Sequence, residues 1–359
     1  AGGDLFKFVQ EYENVGFPEA VETLAERCGV ALPQDRPKTP EERARERALE
    51  IHAVADAYYR QMFAEPAGRR CREYLERRGL SSETVERLGV GYAPAGWEHL
   101  SEYVRRKNIR PQELIESGLA VARKSGSGQY DRFRDRLIFP IRDLHGKTIA
   151  FGGRALGPDD EPKYLNSPES PAYVKGEHLY GLDQARESIR REGYAIVVEG
   201  YMDLAALVQA GFLQTVASLG TAMTAAQAKL LSRTTQRVIV SYDGDAAGTA
   251  AVAKSLGLLL EHGLDVRVVD LPAGLDPDDT IRERGADAYA KLLRTAPGYL
   301  EWVLRREVQT RDVERPEDKV AVINAVLPHL SRLTNPIERV AWAARVAEAV
   351  QLEDRLVLE

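Results

Sequence analysis

Ala195-Ile196-Val197-Val198-Glu199-Gly200-Tyr201-Met202-Asp203 is an apolar run that breaks into an acidic turn, and the chain repeats this device twice more before residue 280. Val238-Ile239-Val240-Ser241-Tyr242 leads into Asp243-Gly244-Asp245, and Val266-Arg267-Val268-Val269 is followed by Asp276-Pro277-Asp278-Asp279. Short β-branched runs bounded by Gly and Asp predict buried strands. Helical patterns lie between them: 204–210 stops at Gly211, and 246–260 stops near Gly263, each a C-terminal signal. Val216-Ala217-Ser218-Leu219, ending at Gly220-Thr221, predicts a fourth strand. Strand and helix alternate, which predicts a parallel sheet with helices on its faces. Ligands of such sheets gather beyond the carboxyl ends of the strands. All three acidic turns fall at that end.

Carboxylates converging on one mouth repel each other and stay ionised only where cations neutralise them. Oxygen donors with no His or Cys beside them suit Mg²⁺ or Mn²⁺. Gly200 and Gly244 are expected to permit the tight turns that crowd the acids together. Asp and Gly after a strand are also ordinary turn residues. Three such turns at the same end of successive strands favour the metal reading.

The totals narrow the class. A chain of 359 residues has room for two or three domains with real cores. It holds no apolar run of about 18 residues, so no membrane span or membrane partner is expected. There is no signal-peptide pattern at its start. Cys28 and Cys71 make neither a disulfide framework nor a zinc motif, and both are expected to be small buried apolar residues. That usage points to a reducing, cytoplasmic setting. The net charge of −6 argues against a nucleic-acid partner, but its distribution does not. Residues 99–154 carry 12 Lys/Arg against 6 Asp/Glu, a basic block ahead of the acidic one. Internal repeats, Walker or Rossmann glycine loops and Ser-His-Asp or Cys-His arrangements are absent.

Along the chain, Phe17-Pro18-Glu19 opens a short helix striped by Ala20, Val21, Leu24 and Ala25. Residues 32–38 form a polar linker. Thr39-Pro40-Glu41-Glu42 reads as a capping box, opening a long helix striped by Ile51, Val54, Tyr58 and Met62 and stopped by Pro66. Shorter helices are predicted near 70–77, 82–88 and 111–117, with Gly118 closing the last. After a flexible Gly126-Ser127-Gly128, the run 129–136 carries Arg at every second position. In a strand, that period puts Arg132, Arg134 and Arg136 on one face, as a solvated face or as a phosphate-binding ridge. Residues 137–141 and 148–151 predict a hairpin turning at His145-Gly146. After Thr295 the chain is helical again, at 300–308, at 316–330 and after the Asn335 cap, where Val340, Ala344 and Ala347 form the stripe. A helical bundle beside the sheet is expected.

A lone Glu at one strand end, Asp-x-Asp at a later one and a further acidic pair resemble the TOPRIM domain of primases, topoisomerases and some nucleases. The wording Glu199-Gly200-Tyr201-Met202-Asp203, 217–222, Tyr242-Asp243-Gly244-Asp245 and Asp276-Pro277-Asp278 is most similar to bacterial replicative primase. Tyr74-Leu75-Glu76-Arg77-Arg78-Gly79, Arg132-Phe133-Arg134-Asp135-Arg136, Phe151-Gly152-Gly153-Arg154 and Pro162-Lys163-Tyr164-Leu165-Asn166-Ser167-Pro168 resemble its N-terminal subdomain, as do Lys175-Gly176 and 179–182. Ala1-Gly2-Gly3-Asp4 and 17–21 resemble the tail of that family's zinc-binding module, whose Cys and His ligands would lie upstream. The resemblance covers almost the whole chain and implies a fragment, with the module's zinc ligands and the helicase-binding C-terminal module both missing.

What the resemblance implies is specific. Overall the fold is α/β (α+β): a basic N-terminal α/β subdomain, a central TOPRIM parallel sheet flanked by helices and a C-terminal helical bundle. The implied divisions are 1–36 for the zinc-module tail and linker, 37–192 for the basic subdomain, 193–295 for TOPRIM and 296–359 for the helical part. The implied function is DNA-dependent synthesis of short RNA primers on single-stranded DNA, from ribonucleoside triphosphates, with Mg²⁺ or Mn²⁺ as cofactor. Zinc would belong only to the missing module, and the replicative helicase would bind only through the missing C-terminal one. Asp243, Asp245 and Asp278 match ligands or near-ligands. Glu199 is a ligand or general base, and Asp276 supports or ligates. Asp203 ligates or caps its helix, Tyr201 supports, and Asp279 is a surface residue. Arg78, Arg132, Arg134, Arg154, Lys163, Tyr164, Asn166 and Lys175 form the implied nucleotide- and nucleic-acid-binding set; Lys163 and Asn166 match residues facing nucleotide phosphates. Another TOPRIM enzyme, a nuclease or topoisomerase, shares the acids, though this chain has no room for a strand-gating domain. A non-catalytic nucleotide-binding module is the remaining alternative, and intact acids in all three turns argue against it.

Overall fold

The computed structural model describes residues 4–13, 16–30, 38–124, 128–157, 161–219, 223–242, 256–353 and 355–358. Asp243, Gly244, Asp245, most of the predicted 246–260 helix, the Gly220-Thr221 turn, most of the 32–38 linker and most of the Gly126-Ser127-Gly128 loop lie outside them. Two compact units emerge, residues 1–46 and 47–359.

In the first unit, α1 (Leu5–Glu13) packs on α2 (Phe17–Cys28), with the Phe6 and Phe17 rings 5.6 Å apart and Val9 and Ala20 buried. Cys28 is exposed, so of the two cysteines only Cys71 is the buried apolar residue that was expected. It falls on the last, outward-facing turn of α2. The Thr39 box forms: Glu42 N donates to Thr39 Oγ1 (3.2 Å) and Thr39 N to Glu42 Oε2 (2.8 Å). It starts α3 (Pro40–Ala64), which runs on into the second unit.

There α3 buries Ile51, His52, Ala55, Tyr58 and Tyr59. It is followed by α4 (Arg69–Arg77), α5 (Ser82–Leu88), β1 (Gly91–Ala93), α6 (His99–Arg105) and α7 (Pro111–Glu116). A two-stranded sheet, β2 (Ala120–Ala122) and β3 (Gln129–Asp131), precedes the predicted hairpin of β4 (Arg136–Arg142) and β5 (Thr148–Ala155). The hairpin turn is held by Asp143, whose Oδ1 accepts from His145 N and Lys147 N, both at 3.0 Å. With β6 (Tyr164–Asn166) this makes an antiparallel sheet of order β1-β4-β5-β6.

The arginine ridge does not form as one strand face. The strand β3 ends at Asp131, Asp135 adopts a left-handed φ of 46°, and β4 begins only at Arg136. Period-two spacing has meaning only where the backbone is continuously extended. Here the break sends Arg132, Arg134 and Arg136 to three different partners.

After α8 (Leu182–Glu192) comes the parallel sheet: β7 (Ala195–Val198), α9 (Tyr201–Gln209), β8 (Thr215–Ala217), α10 (Ala225–Ser232), β9 (Arg237–Val240), α11 (described over 256–261) and β10 (Asp265–Val268). The order is β10-β9-β7-β8, all parallel. Every second residue faces one side. Val197, Val216, Val238, Val240, Val266 and Val268 join a core with α8, α10, α11 and the C-terminal helices. Ile196, Val198, Ala217 and Ile239 face the other way, into a core shared with Leu137, Phe139 and Ile141 of β4. The two sheets are thus joined through one apolar layer, closed by α9 and by α12 (Pro277–Thr295).

The tail is helical: α13 (Tyr299–Gln309), α14 (Pro316–Leu330), α15 (Pro336–Ala349) and α16 (Arg355–Leu358). In α15 the buried face is Ala343, Val346 and Ala347, whereas Val340 is 51% exposed and Ala344 is also outside. An alanine-rich helix offers little contrast between faces, so the expected Val340-Ala344-Ala347 stripe is displaced around the helix. No helix among the described residues is long and apolar enough to cross a membrane.

The buried His52 makes a pH prediction. Its Nε2 lies 2.9 Å from Ser117 O, its ring meets Phe151 edge-on, and burial pushes its pKa down to about 4. The unfolded chain takes that proton near 6.5, so between about 4 and 6.5 the unfolded state binds more protons and stability falls as pH falls. The contribution at stake is roughly 3 kcal/mol. Urea unfolding of wild type and His52→Gln at pH 7.5 and 4.5 should show the wild type losing more stability on acidification; equal losses would exclude this source.

Candidate active site

The carboxyl end of β7 delivers Glu199 and Gly200, and α9 begins at once. Asp203, at the third helical position, turns its Oδ2 back to accept from Gly200 N at 3.2 Å. It therefore satisfies the N-cap N–H in one direction only, because Gly200 has no side chain to return the bond. Gly200 is extended (φ −121°), so no left-handed turn requires glycine here; what it supplies is space, since a Cβ would stand 3.0 Å from Asp203 Oδ2.

Tyr201 is 2% exposed. Its ring stacks on Phe139 and meets Tyr180 edge-on, each centroid at 4.8 Å, and its hydroxyl donates to Asn166 Oδ1 at 2.8 Å. Asn166 passes the connection on, donating from Nδ2 to Leu219 O at 3.3 Å beyond β8. Gly152, which pairs with Phe139 in the hairpin, lies under the same ring, and a Cβ there would overlap it. Gly152 is read from the sequence only within the run 151–154 and Leu219 only as a strand end, although Gly-Gly inside a β run signals close approach.

Opposite, Asp276 caps α12, its Oδ1 accepting from Asp279 N at 2.6 Å, with Pro277 next. Asp278 is 2% exposed; its Oδ2 accepts from Arg78 Nη1 at 2.7 Å and its buried Oδ1 has no hydrogen-bond partner. Burial raises the Asp278 pKa above the ordinary carboxylate value, against the pull of Arg78. Asp279 pairs with Arg282 at 3.2 Å on the surface.

The cations are held by aromatic rings. The guanidinium of Arg154 lies 5.2 Å from the Tyr74 centroid and 5.0 Å from that of Tyr164, and donates to the Tyr164 hydroxyl. Arg154 is 7% exposed, and its Nε has no acceptor. Arg78 lies 5.9 Å from the same Tyr74 ring. Arg132 donates from Nε and Nη2 to Asn166 O (3.2 and 2.9 Å), and burial lowers its pKa. The ammonium of Lys163 stands 6.0 Å from the Tyr164 ring.

These groups line one cleft of about 510 Å³. It brings together Arg78, Arg132, Arg154, Lys163, Tyr164, Asn166 and Lys175 with Glu199, Tyr201, Asp203, Asp276 and Asp278. Arg134 is elsewhere: it lies over Trp97 (4.6 Å) and Tyr130 (5.0 Å), beside Arg123, which lies about 6 Å from both rings. Trp97 is 58% exposed. Asp243 and Asp245 lie outside the described residues. Among the described residues no three His, Cys, Asp or Glu side chains are grouped closely enough to hold a metal. The donors present are nonetheless oxygens only, and the unpartnered Asp278 Oδ1 among them suits a hard divalent cation. A cation there would face Lys and Arg groups suited to phosphate.

Three family models match in chain order: "DNA primase catalytic core, N-terminal domain" over 58–186, "Toprim-like" over 196–281 and "DnaB-helicase binding domain of primase" over 300–355. A DNA primase of Halalkalibacterium halodurans is 39% identical over 355 residues, which is 98% of this chain and 59% of that protein; the chain thus spans about three fifths of this curated relative. The crystal structure of a DNA primase domain from Pseudomonas aeruginosa superposes with a TM-score of 0.80 at 36% identity, covering 86% of this chain and 98% of that one. A DnaG primase catalytic domain bound to ssDNA matches with a TM-score of 0.78 at 36% identity, covering 88% and 99%. The third family match corrects one expectation: the helicase-binding module is not missing but coincides with α13 to α15. Helical periodicity alone cannot distinguish such a module from an ordinary bundle.

Because the Tyr201 ring occupies the space over Gly152, Gly152→Ala should overpack the layer between the sheets and cost roughly 1–3 kcal/mol. Urea unfolding measures it; an unchanged midpoint would mean that the sheets part without cost.

Proposed function

The chain belongs to the DNA primase family, and on that premise we propose that it makes RNA primers on a single-stranded DNA template from ribonucleoside triphosphates. The observation that carries this reading is the cleft itself. Carboxylates at the ends of parallel strands face ring-held cations across it, and the Arg78–Asp278 pair joins the two sides.

In the reaction, the 3′-oxygen of one nucleotide attacks the α-phosphorus of the next. A P–O bond forms, the bond to the bridging oxygen breaks, and pyrophosphate leaves while the hydroxyl proton is lost to base. Glu199, Asp243, Asp245, Asp276 and Asp278 are the residues we assign to holding divalent cations, magnesium or manganese. Such ions, when bound, lower the pKa of the attacking hydroxyl and neutralise the leaving charge. Glu199 also stands in reach of a second role on this reading, as the acceptor of the hydroxyl proton. Lys163, Lys175, Arg78 and Arg154 bind the phosphates, and the Tyr74 and Tyr164 rings hold Arg78, Arg154 and Lys163 in position before substrate arrives. Arg132 and Tyr201 fix Asn166, which faces the same phosphates. Asp203 acts through the Gly200 turn and positions Glu199.

The template, on this reading, also touches the Trp97–Arg134–Tyr130 stack outside the cleft. An exposed Trp97 ring and a half-buried Tyr130 ring interleaved with arginines give bases a surface to stack on and phosphates a counter-charge, with little sequence preference. The α13–α15 region, by its family match, is the proposed helicase contact.

Two tests follow. Glu199→Gln, which removes the charge and keeps the shape, should lower primer synthesis by roughly a hundredfold or more while leaving the unfolding midpoint unchanged. Ordinary synthesis by that variant would remove Glu199 from the chemistry. In an anisotropy salt series with oligo-dT, Trp97→Ala should weaken binding about 5- to 100-fold with the slope of log affinity against log salt retained. Arg134→Ala should instead flatten that slope by about 0.7. The same change in both variants would exclude the stack as described.

A further inference from the structure

Beside the cleft lies a second open chamber of about 710 Å³, and the two share Arg78, Arg154 and Lys163 as a common wall. Its lining adds Arg77 and Arg282, two arginines that the proposed chemistry does not use, against one carboxylate among the described residues, that of Glu161. Arg77, at the last turn of α4, is exposed and makes no ion pair among the described residues. Arg282 pairs only with the surface Asp279 among them, at 3.2 Å, and keeps 40% of its side chain open. Arg154, in the shared wall, keeps a buried Nε without an acceptor. Each space is of the size that takes one small molecule of nucleotide dimensions.

A polymerase that starts a chain must hold two nucleotides at once. The incoming one places its triphosphate where pyrophosphate will leave, against the acids. The starting one contributes only its 3′-hydroxyl to the reaction, and its own 5′-triphosphate, close to four negative charges, is carried along unreacted. The carboxylates of the cleft would repel that second triphosphate. An adjoining chamber whose described lining has five cationic side chains and one acid would attract it.

Resting on the polymerase reading, we propose that this chamber is the subsite for the 5′-triphosphate of the starting nucleotide, and that Arg77 and Arg282 recognise it. Lysine and arginine at the shared wall then touch both nucleotides, whereas Arg77 and Arg282 touch only the first. The chain so distinguishes a 5′-triphosphate end from any other.

The test uses two starting nucleotides as primers on one template, a ribonucleoside 5′-triphosphate and the same ribonucleoside with a 5′-hydroxyl, each joined to one labelled incoming nucleotide of a different base. The wild-type chain should use the triphosphorylated starter at a KM roughly tenfold lower. Arg77→Ala and Arg282→Gln should each reduce that preference, and together abolish it, with kcat and KM for the hydroxyl primer held within about twofold. Absence of a preference in the wild type, or equal loss on both primers in the variants, overturns the proposal. A wild-type chain that extends neither primer overturns the polymerase reading, and this inference with it.

Discussion

Tyr201 is the first residue of a helix, yet solvent hardly reaches it, so two sheets have to close over its ring. That closure organises the rest. The ring needs Phe139 beneath it, and Gly152 beside Phe139 where no side chain fits. Its hydroxyl needs an acceptor in a dry place, and Asn166 supplies one while donating onward to Leu219. One aromatic residue therefore sets the antiparallel sheet, which carries Arg154 and Asn166, against the parallel sheet, which carries Glu199. The cleft is the gap left between them.

The electrostatics follow from the same closure. Asp278 is as buried as Tyr201 and is hydrogen-bonded by the guanidinium of Arg78, from an element 200 residues away in the chain. Burying an ion pair is rarely a net gain in stability, because desolvation offsets the attraction. Retaining one with an unpartnered carboxylate oxygen makes sense if a ligand completes it. The pair also fixes α4 relative to α12, which brings Tyr74, and with it Arg154, to the cleft.

Much of this was legible beforehand, for a physical reason. A strand buried on both faces must be apolar throughout, so β7 and most of β9 stand out as β-branched runs and their acidic ends stand out with them. Caps such as Thr39 and Asn335 are local chemistry and read equally well. Illegible features depended on contacts distant in sequence. The arginines at 132, 134 and 136 kept strand spacing, but a left-handed Asp135 broke the backbone, and Arg134 found Trp97 instead. The reason for Gly152 was a tyrosine 49 positions later. The buried face of α15 was hidden by alanines that suit either side, and the helicase-binding match by the plainness of helices in general.

Arg154 carries one more consequence, and it concerns entropy. A free arginine side chain gives up about 2 kcal/mol of rotamer freedom when a ligand immobilises it. Here two tyrosine rings, each about 5 Å away, have already immobilised the guanidinium, and that freedom was lost when the chain folded. A phosphate that meets Arg154 therefore gains its contacts without that loss, and meets a donor plane of fixed orientation. The recognition is that of a rigid mould: it favours a group presented at one angle over the same group at another, and an ammonium, which has no plane to clamp, would not reproduce it.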